Sequence, residues 1–373
     1  MTAMPAVDIV WTLTLVCPWD CAMCCVDAVH VRRTRDGVVL RTDGLTESET
    51  VAVERGSTPD IFEFAAKLRQ QRGSELSLDA KLRVLDNLAG FDAKIDFSGG
   101  DPMVQSENRL VMQVAAQRFG KRNVTLTATG AGLARLRPTE LAPFLGELNF
   151  TYDSPGIDAS GLRPKRYARS NLQHAAAFQE AGVKVRAECP LTTENCDAST
   201  LTEMYHSLRE AGIEKLLIMR LFPSGRGADV VLKTPTPSQY SVAVAHLRQL
   251  ERRYSGPRIS LQCALRGVES VRRSEANPCD LIRESFGLLA DGTLLSSPWA
   301  VDGRGKPFSE DWVLGNLAQD SLSSILATDL VDRQRARLDE NHGHCKIFSF
   351  LNSKGEGEDR LFDRTDPLYV PRD

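Results

Sequence analysis

Six short apolar runs rich in β-forming residues recur along the first two thirds of the chain and predict strands. Segments with apolar residues at helical spacing lie between most of these runs, for example at 110–119, 172–181 and 201–211. Strands that alternate with helices predict βα units around a parallel sheet. Six such units predict an α/β fold, a partial (β/α)6 TIM-like barrel. The six runs are 9–16, 93–97, 124–129, 147–152, 184–189 and 215–220.

The stretch between the first two predicted strands is too long for one loop and one helix. It is polar from residue 30 to residue 60, and we expect an insertion at about 30–75 that carries a small hairpin at 38–41 or forms a flexible cover. Residues 77–88 predict the first barrel helix, with Ser77 as its N-cap.

The pattern changes after residue 230. A long helix is predicted at 236–254 and a short one at 322–327. Two apolar runs, 286–290 and 293–297, flank Asp291-Gly292 and predict a β-hairpin. We therefore expect a barrel domain at 1–230, a small C-terminal α+β extension with this hairpin at 231–352, and a charged tail at 353–373 that is partly disordered.

The composition is that of an ordinary globular protein, with 373 residues, 42% hydrophobic, 25% charged and a net charge of −3. This balance gives no electrostatic basis for binding nucleic acid or an anionic membrane. No stretch approaches 18 consecutive apolar residues, and the first residues lack the features of a signal peptide. We expect a cytoplasmic protein with neither nucleic acid nor membrane as a partner.

Four of the nine cysteines lie between residues 17 and 25. An odd number of cysteines without an export signal disfavours a disulfide framework. Cys17, Cys21 and Cys24 follow the first predicted strand with the spacing C-x3-C-x2-C. Three thiolates on one loop can ligate three irons of a [4Fe–4S] cluster and leave the fourth iron open to a ligand. Cys25 is expected to be a packing residue.

Two other interpretations of these cysteines are a structural zinc site and buried free thiols. Zinc sites usually pair two C-x2-C units or add histidines. The chain has no second C-x2-C unit.

The cysteine motif after the first strand resembles the signature of the radical S-adenosylmethionine (SAM) superfamily, over roughly residues 7–228. Met23 stands where that family usually has an aromatic residue. The resemblance implies a [4Fe–4S] cluster on Cys17, Cys21 and Cys24, with SAM bound at the open iron. It also implies a one-electron donor such as flavodoxin or ferredoxin, reductive cleavage of SAM, and hydrogen abstraction from a substrate C–H bond.

Further motifs at predicted strand ends are similar to those of the family. Ser98-Gly99-Gly100-Asp101 resembles its glycine-rich motif, which receives the SAM amino group, with Asp101 in place of a glutamate. An ordinary role in caps, turns or ion pairs is the alternative for the remaining candidates. The other implied contacts to SAM or substrate are Thr129, Thr151, Asp153, Glu188, the two arginines Arg166 and Arg169, and Gly225.

The order of Cys279, the hairpin and Cys345 is similar to that of the SPASM/twitch extension, which holds auxiliary [4Fe–4S] clusters in relatives. Ser297 stands where that family has a cysteine, and its final cysteine run is missing. Two interpretations stay open. Cys263, Cys279 and Cys345 hold one auxiliary cluster, with His342 or His344 as a fourth ligand, or the domain keeps the fold without metal.

The resemblance implies an enzyme that acts on a peptide or small-molecule substrate, in the maturation of a ribosomal peptide (RiPP) or another natural product. One alternative is a twitch-type dehydrogenase of a small alcohol or sugar. An alternative of another class is a non-catalytic iron–sulfur or zinc-binding scaffold. No residue is assigned as the catalytic group.

Overall fold

The computed structural model describes residues 4–53, 60–155, 161–269 and 276–369. Within these ranges it contains fourteen strands. In chain order they are β1 (Ala6–Thr14), β2 (Val16–Cys17), β3 (Val29–Arg33), β4 (Val38–Thr42), β5 (Glu47–Val51), β6 (Asp92–Gly99), β7 (Val124–Thr127), β8 (Glu147–Thr151), β9 (Lys184–Leu191), β10 (Lys215–Arg220), β11 (Arg258–Leu261), β12 (Ser285–Leu288), β13 (Thr293–Leu295) and β14 (Val313–Asn316).

The same ranges contain thirteen α-helices, and short 3₁₀ turns connect several of them. In chain order they are α1 (Ile61–Gln71), α2 (Leu78–Asn87), α3 (Glu107–Phe119), α4 (Gly130–Leu133), α5 (Pro138–Leu141), α6 (Tyr167–Glu180), α7 (Ala198–Glu210), α8 (Pro237–Arg253), α9 (Cys263–Arg266), α10 (Leu322–Leu326), α11 (Asp329–Ala336), α12 (Lys346–Asn352) and α13 (Asp359–Phe362).

The central sheet has the strand order β11-β10-β9-β8-β7-β6-β1-β12-β13-β14. All neighbours from β11 to β12 are parallel, and the hairpin strand β13 and its neighbour β14 are antiparallel. The six predicted strands correspond to β1, β6, β7, β8, β9 and β10, which lie side by side in that order. The prediction of a partial α/β barrel is therefore confirmed.

Alternation along the strands separates an apolar face from a polar one. On β9, Val185 and Ala187 are buried in the main core, whereas Arg186 and Glu188 point to the opposite face. Helices cover the apolar face with side chains at helical spacing, such as Leu201, Met204, Tyr205 and Leu208 of α7. The other face of the sheet is therefore polar, and it is available for a site.

The helix boundaries agree with the predicted capping residues. The side-chain oxygen of Ser77 accepts a hydrogen bond from the Ala80 N–H at 3.4 Å. Gly182 and Gly212 follow α6 and α7 with φ angles of +80° and +73°, as expected just beyond a helix end. Helix α8 begins with Thr236 as its N-cap.

The predicted insertion forms a separate small sheet with the order β2-β3-β4-β5, and the predicted hairpin is β3–β4. Its core joins valines of β2, β3 and β4 to Ala65 and Ala66 of α1. Because β2 consists of Val16 and Cys17, this sheet is built directly on the cysteine loop. Residues 54–59 of the insertion lie outside the described residues.

The C-terminal part extends the barrel sheet at both edges. Strand β11 pairs with β10, and β12 pairs with β1 in parallel. The predicted hairpin is confirmed by β12 and β13, with Gly292 at a φ of +89° in the turn. The division into domains at residue 230 stays a prediction, since the sheet is continuous across it.

The tail was expected to be partly disordered, and up to residue 369 it is instead packed against the protein. Leu361 and Phe362 of α13 are buried, and Asp366 forms a buried ion pair with Arg220 at 2.8 Å. Two apolar side chains and one buried charge pair therefore hold a segment whose composition is mostly charged. Residues 370–373 lie outside the described residues. No helix in the described part of the chain is long and apolar enough to cross a membrane.

Candidate functional site

The three cysteines of the predicted cluster motif lie just beyond the carboxyl end of β1. Cys17 ends β2, and Cys21 and Cys24 are in the following loop. Cys17 and Cys21 are buried, and Cys24 is half-buried. The Trp19 N–H points to the Cys17 sulfur at 3.4 Å and the Ala28 N–H to the Cys24 sulfur at 3.3 Å. Hydrogen bonds of this kind stabilise sulfur that carries negative charge in iron–sulfur sites.

The thiols are close enough to influence one another's ionisation. Burial raises the pKa of Cys17 well above its usual value, and Asp101, Cys21 and Cys24 raise it further. Burial raises the pKa of Cys21 to about 11, and Arg163 opposes that shift. The free thiols of Cys17 and Cys21 are therefore protonated at neutral pH, and ligation by a metal centre would release their protons.

The arrangement fits a cluster better than a single ion. Among the residues that the structure describes, no three His, Cys, Asp or Glu side chains are grouped to hold one metal ion. In a cubane each thiolate binds a different iron, so the ligands stand farther apart than around one zinc ion. The zinc alternative thus gains no support from the geometry, whereas three neighbouring thiols, two of them with backbone N–H donors, suit a [4Fe–4S] cluster.

An arginine that the sequence did not single out lies beside the cysteines. The Nε of Arg163 donates to Asp153 at 2.8 Å, and its guanidinium also bonds the Cys21 thiol. The predicted Arg166 and Arg169 are instead exposed at the beginning of α6. The three arginines have no distinguishing spacing in the sequence, and only burial against the cysteine loop separates Arg163 from the others.

The glycine-rich motif is packed against the segment that leads into the cysteine loop. Gly99 has a φ of +126°, and a Cβ there would lie 2.2 Å from the Thr14 carbonyl oxygen. A Cβ on Gly100 would lie 2.4 Å from the Val16 carbonyl oxygen. Ser98 donates to the Trp11 carbonyl oxygen at 3.2 Å. The glycines therefore let β6 end directly beside the residue before Cys17, while their contact with SAM stays a prediction.

Asp101 connects this motif to the cysteine loop through Thr129. The buried Asp101 carboxylate accepts hydrogen bonds from the Thr129 hydroxyl and, at 2.9 Å, from the Gly132 N–H. The Thr129 oxygen in turn accepts from the Trp19 indole at 3.0 Å. Burial raises the pKa of Asp101 to about 6, although these hydrogen bonds lower it. Trp19 was missed in the sequence because it lies between two cysteines, without a pattern of its own.

The ends of β7 and β8 are joined by a second residue that the sequence did not predict. Asn171 is fully buried; its side chain donates to the Thr151 carbonyl oxygen at 2.9 Å and accepts from the Gly130 N–H at 2.7 Å. Asp153 lies two residues beyond Thr151 and pairs with Arg163. The structure thus brings Thr129, Thr151 and Asp153 to neighbouring strand ends, as the barrel predicts.

Glu188 lies on the polar face of β9, as expected from the burial of its apolar neighbours. Its carboxylate accepts from Arg186 at 3.1 Å. Burial raises the pKa of Glu188 to about 7, with Arg186 acting in the opposite direction. Glu188 also influences Cys25, whose pKa burial raises to about 12. It is therefore a titratable group close to the cysteine loop.

Gly225 lies against the cysteine loop. A Cβ there would lie 2.4 Å from the Cys24 carbonyl oxygen, and its φ is +52°. The neighbouring Arg226 is buried and donates to the Cys21 carbonyl oxygen at 2.8 Å and to Asp27 at 2.6 Å. The segment after β10 thus clamps the loop backbone, and the predicted contact of Gly225 with SAM or substrate stays a prediction.

The C-terminal cysteines come together from three distant segments. Cys263 is the first residue of α9, Cys279 precedes β12, and Cys345 directly precedes α12. Burial raises the pKa of all three thiols, and the Cys279 and Cys345 thiols raise that of Cys263 further. Backbone N–H groups of Leu281 and Lys346 point to the Cys279 sulfur. Three thiols with donors of this kind suit a second iron–sulfur cluster.

The histidines suggested as a fourth ligand of that cluster lie just before Cys345. The His344 ring packs edge-on against Tyr369, with centroids 5.6 Å apart. Burial lowers the pKa of His344. A ligand role for His342 or His344 stays a prediction.

Comparison with known proteins places the fold. No family model matches the chain, and no curated protein matches it. The structure of SuiB from Streptococcus suis bound to the precursor peptide SuiA is similar, with a TM-score of 0.61, 13% identity, and coverage of 98% of this chain and 76% of that chain. SuiB bound to S-adenosylmethionine has a TM-score of 0.63, at 13% identity over 98% and 78% of the two chains. The structure of anSMEcpe with bound AdoMet has a TM-score of 0.53, at 14% identity over 88% and 79%. These neighbours are radical SAM enzymes. The chain therefore has the fold of radical SAM enzymes.

Proposed function

We propose that this chain is a radical SAM enzyme in which Cys17, Cys21 and Cys24 hold a [4Fe–4S] cluster whose fourth iron binds SAM. One observation carries the proposal: three thiols gather beyond the carboxyl end of β1, in the fold of proteins that bind SAM. When bound and reduced, the cluster supplies the electron that cleaves SAM to methionine and a 5′-deoxyadenosyl radical, which abstracts a hydrogen atom from the substrate.

The residues around the loop have a positioning role in this proposal. Trp19, Thr129 and Asp101 form a hydrogen-bonded chain that fixes the loop relative to β6 and β7. Gly99 and Gly100 expose backbone groups for the SAM amino group. For the SAM carboxylate we favour Arg163 over Arg166 and Arg169, because it is next to Cys21 and largely buried.

The proposed substrate is a peptide. Two structures of this fold were solved with peptides, SuiB with SuiA and anSMEcpe with Kp18Cys. The polar face of the sheet, which carries Glu188, Arg186 and Asp96, offers hydrogen-bonding groups that a peptide backbone can use. Maturation of a ribosomal peptide or another natural product is the reaction class that this favours.

A second candidate is the oxidation of a small alcohol or sugar. Such an oxidation requires an electron acceptor, and the gathering of Cys263, Cys279 and Cys345 favours one. We propose that these three cysteines hold a second [4Fe–4S] cluster.

Anaerobic reconstitution followed by iron and sulfide analysis and a SAM-cleavage assay tests both proposals. The wild-type chain is expected to bind about eight iron atoms and to form 5′-deoxyadenosine under reduction. Cys17→Ser should lose about four of them together with SAM cleavage. Cys263→Ser should lose only the iron of the second cluster and keep SAM cleavage.

The control is Cys196→Ser, because Cys196 is buried but is not part of either cysteine group. It should keep both the iron content and the activity. SAM cleavage that survives in Cys17→Ser would refute the assignment of Cys17 as a ligand of the SAM-cleaving cluster, and bound iron without any 5′-deoxyadenosine in the wild-type chain would favour the scaffold alternative. An unchanged iron content in Cys263→Ser would refute the second cluster alone.

A further inference from the structure

Lys346 is the residue after Cys345 and the first residue of α12. The residue is only 1% exposed, and within the described residues its Nζ has no hydrogen-bond partner. A buried ammonium without a partner is costly, so proteins normally pair or hydrogen-bond such a group. Among the described residues, no side chain therefore compensates a charge on Lys346 by a direct hydrogen bond.

A second buried lysine shows how this protein satisfies an ammonium group elsewhere. Lys81 is also fully buried, and its Nζ donates to Glu107 at 2.7 Å, to Asn108 at 2.8 Å and to Gln105 at 3.4 Å. In the described part of the chain, no side chain hydrogen-bonds the Lys346 Nζ in this way. The difference indicates that the partner of Lys346 is not an amino-acid side chain of the described residues.

The three C-terminal thiols lie within electrostatic range of Lys346. Burial lowers the pKa of Lys346, whereas Cys279, Cys345, Asp339 and Cys263 favour its charged form. Asp339 does not hydrogen-bond the Lys346 Nζ; its side chain is 67% exposed and pairs with Arg283 at 3.5 Å. Free thiols are neutral and supply little of this stabilisation. Three thiolates on an iron–sulfur core are different, because their charges outnumber the two positive charges of an oxidised [4Fe–4S] core.

We infer that Lys346 is the counter-cation of the second cluster on Cys263, Cys279 and Cys345, and that its charge raises the reduction potential of that cluster. The inference rests on the second cluster of the proposed function. Reduction adds a negative charge to the cluster, and a nearby buried cation stabilises the reduced form more than the oxidised form. Lys346 is thus a positioning residue that acts through charge.

The test is a redox titration of the reconstituted protein, followed by electron paramagnetic resonance, on wild type and three variants. Lys346→Met removes the charge and keeps most of the side-chain length. It should lower the ratio of reduced to oxidised second cluster at least tenfold at a given potential, which is a shift of about 59 mV for a one-electron couple. Lys346→Arg keeps the charge and should stay close to wild type.

Lys81→Met is the matched control, because it removes a buried ammonium that lies in a different network. It should leave the potential of the second cluster unchanged. The first cluster should keep its potential in all variants. If Lys346→Met loses the iron of the second cluster while Lys346→Arg retains it, the result supports a need for a positive charge beside that cluster.

Two results would overturn the inference. One is an unchanged potential in Lys346→Met with a full iron content. The other is an equal loss of iron in Lys346→Met and Lys346→Arg, which would mean that the shape of the side chain matters and its charge does not. A wild-type chain with only one cluster would instead refute the second cluster, and the iron count separates that failure from the other two.

Discussion

Gly225 gives the sharpest test of how the cysteine loop is held. A methyl group there would lie 2.4 Å from the Cys24 carbonyl oxygen, 2.6 Å from the Cys25 carbonyl carbon and 2.7 Å from the Asp27 nitrogen. All three are backbone atoms, so the loop itself must move to accept the methyl. Overpacking of this kind typically costs about 1–3 kcal/mol.

The left-handed backbone of Gly225 adds about 1–2 kcal/mol for any L side chain. A matched control isolates the two effects, because Gly212 has a φ of +73° with open space around its Cα. Gly212→Ala should therefore show only the backbone cost. Gly225→Ala should lower the free energy of unfolding by about 1–3 kcal/mol more than Gly212→Ala does.

Urea denaturation of the metal-free variants measures this difference directly. Iron and sulfide per chain after anaerobic reconstitution then show whether the displaced loop still holds a cluster. We expect Gly225→Ala to bind less iron than Gly212→Ala. Equal stability and equal iron content in the two variants would refute the idea that the segment after β10 clamps the cysteine loop.

Two further predictions concern buried carboxylates. Burial raises the pKa of Asp101 from 3.8 to about 6. Between these two pH values the folded chain binds more protons than the unfolded chain, so its free energy of unfolding falls as the pH rises. Urea titrations of wild type and Asp101→Asn measure this effect. The free energy of unfolding of wild type, relative to that of the variant, should fall by about 2 kcal/mol between pH 4.5 and pH 7. A difference that stays constant with pH would contradict the raised pKa. Asp366→Ala leaves the buried Arg220 unpaired and should lower the free energy of unfolding by about 3–5 kcal/mol. Glu49→Ala, which breaks an exposed pair with Arg72, should cost no more than about 1 kcal/mol, and comparable losses would show that burial does not decide the effect.

The sequence was sufficient for the order of the barrel strands and for placing three cysteines on one loop beyond the first of these strands. Period-two and helical spacing depend on local burial, which is why the six strands and the helices between them were predicted close to their observed bounds. The C-x3-C-x2-C spacing is local as well, since it places three thiols within eight residues of one loop. The hairpin at Asp291-Gly292 was predicted for the same reason, since a turn is set by neighbouring residues.

Other features were decided only by the tertiary structure. Arg163, and not Arg166 or Arg169, lies beside Cys21, because the path of the chain before α6 determines which arginine is buried. The charged tail folds back because Asp366 finds Arg220, 146 residues away in sequence. Cys263, Cys279 and Cys345 converge only once β11, β12 and α12 are packed together. Contacts between residues so far apart depend on the whole fold, and local sequence patterns carry no signal for them.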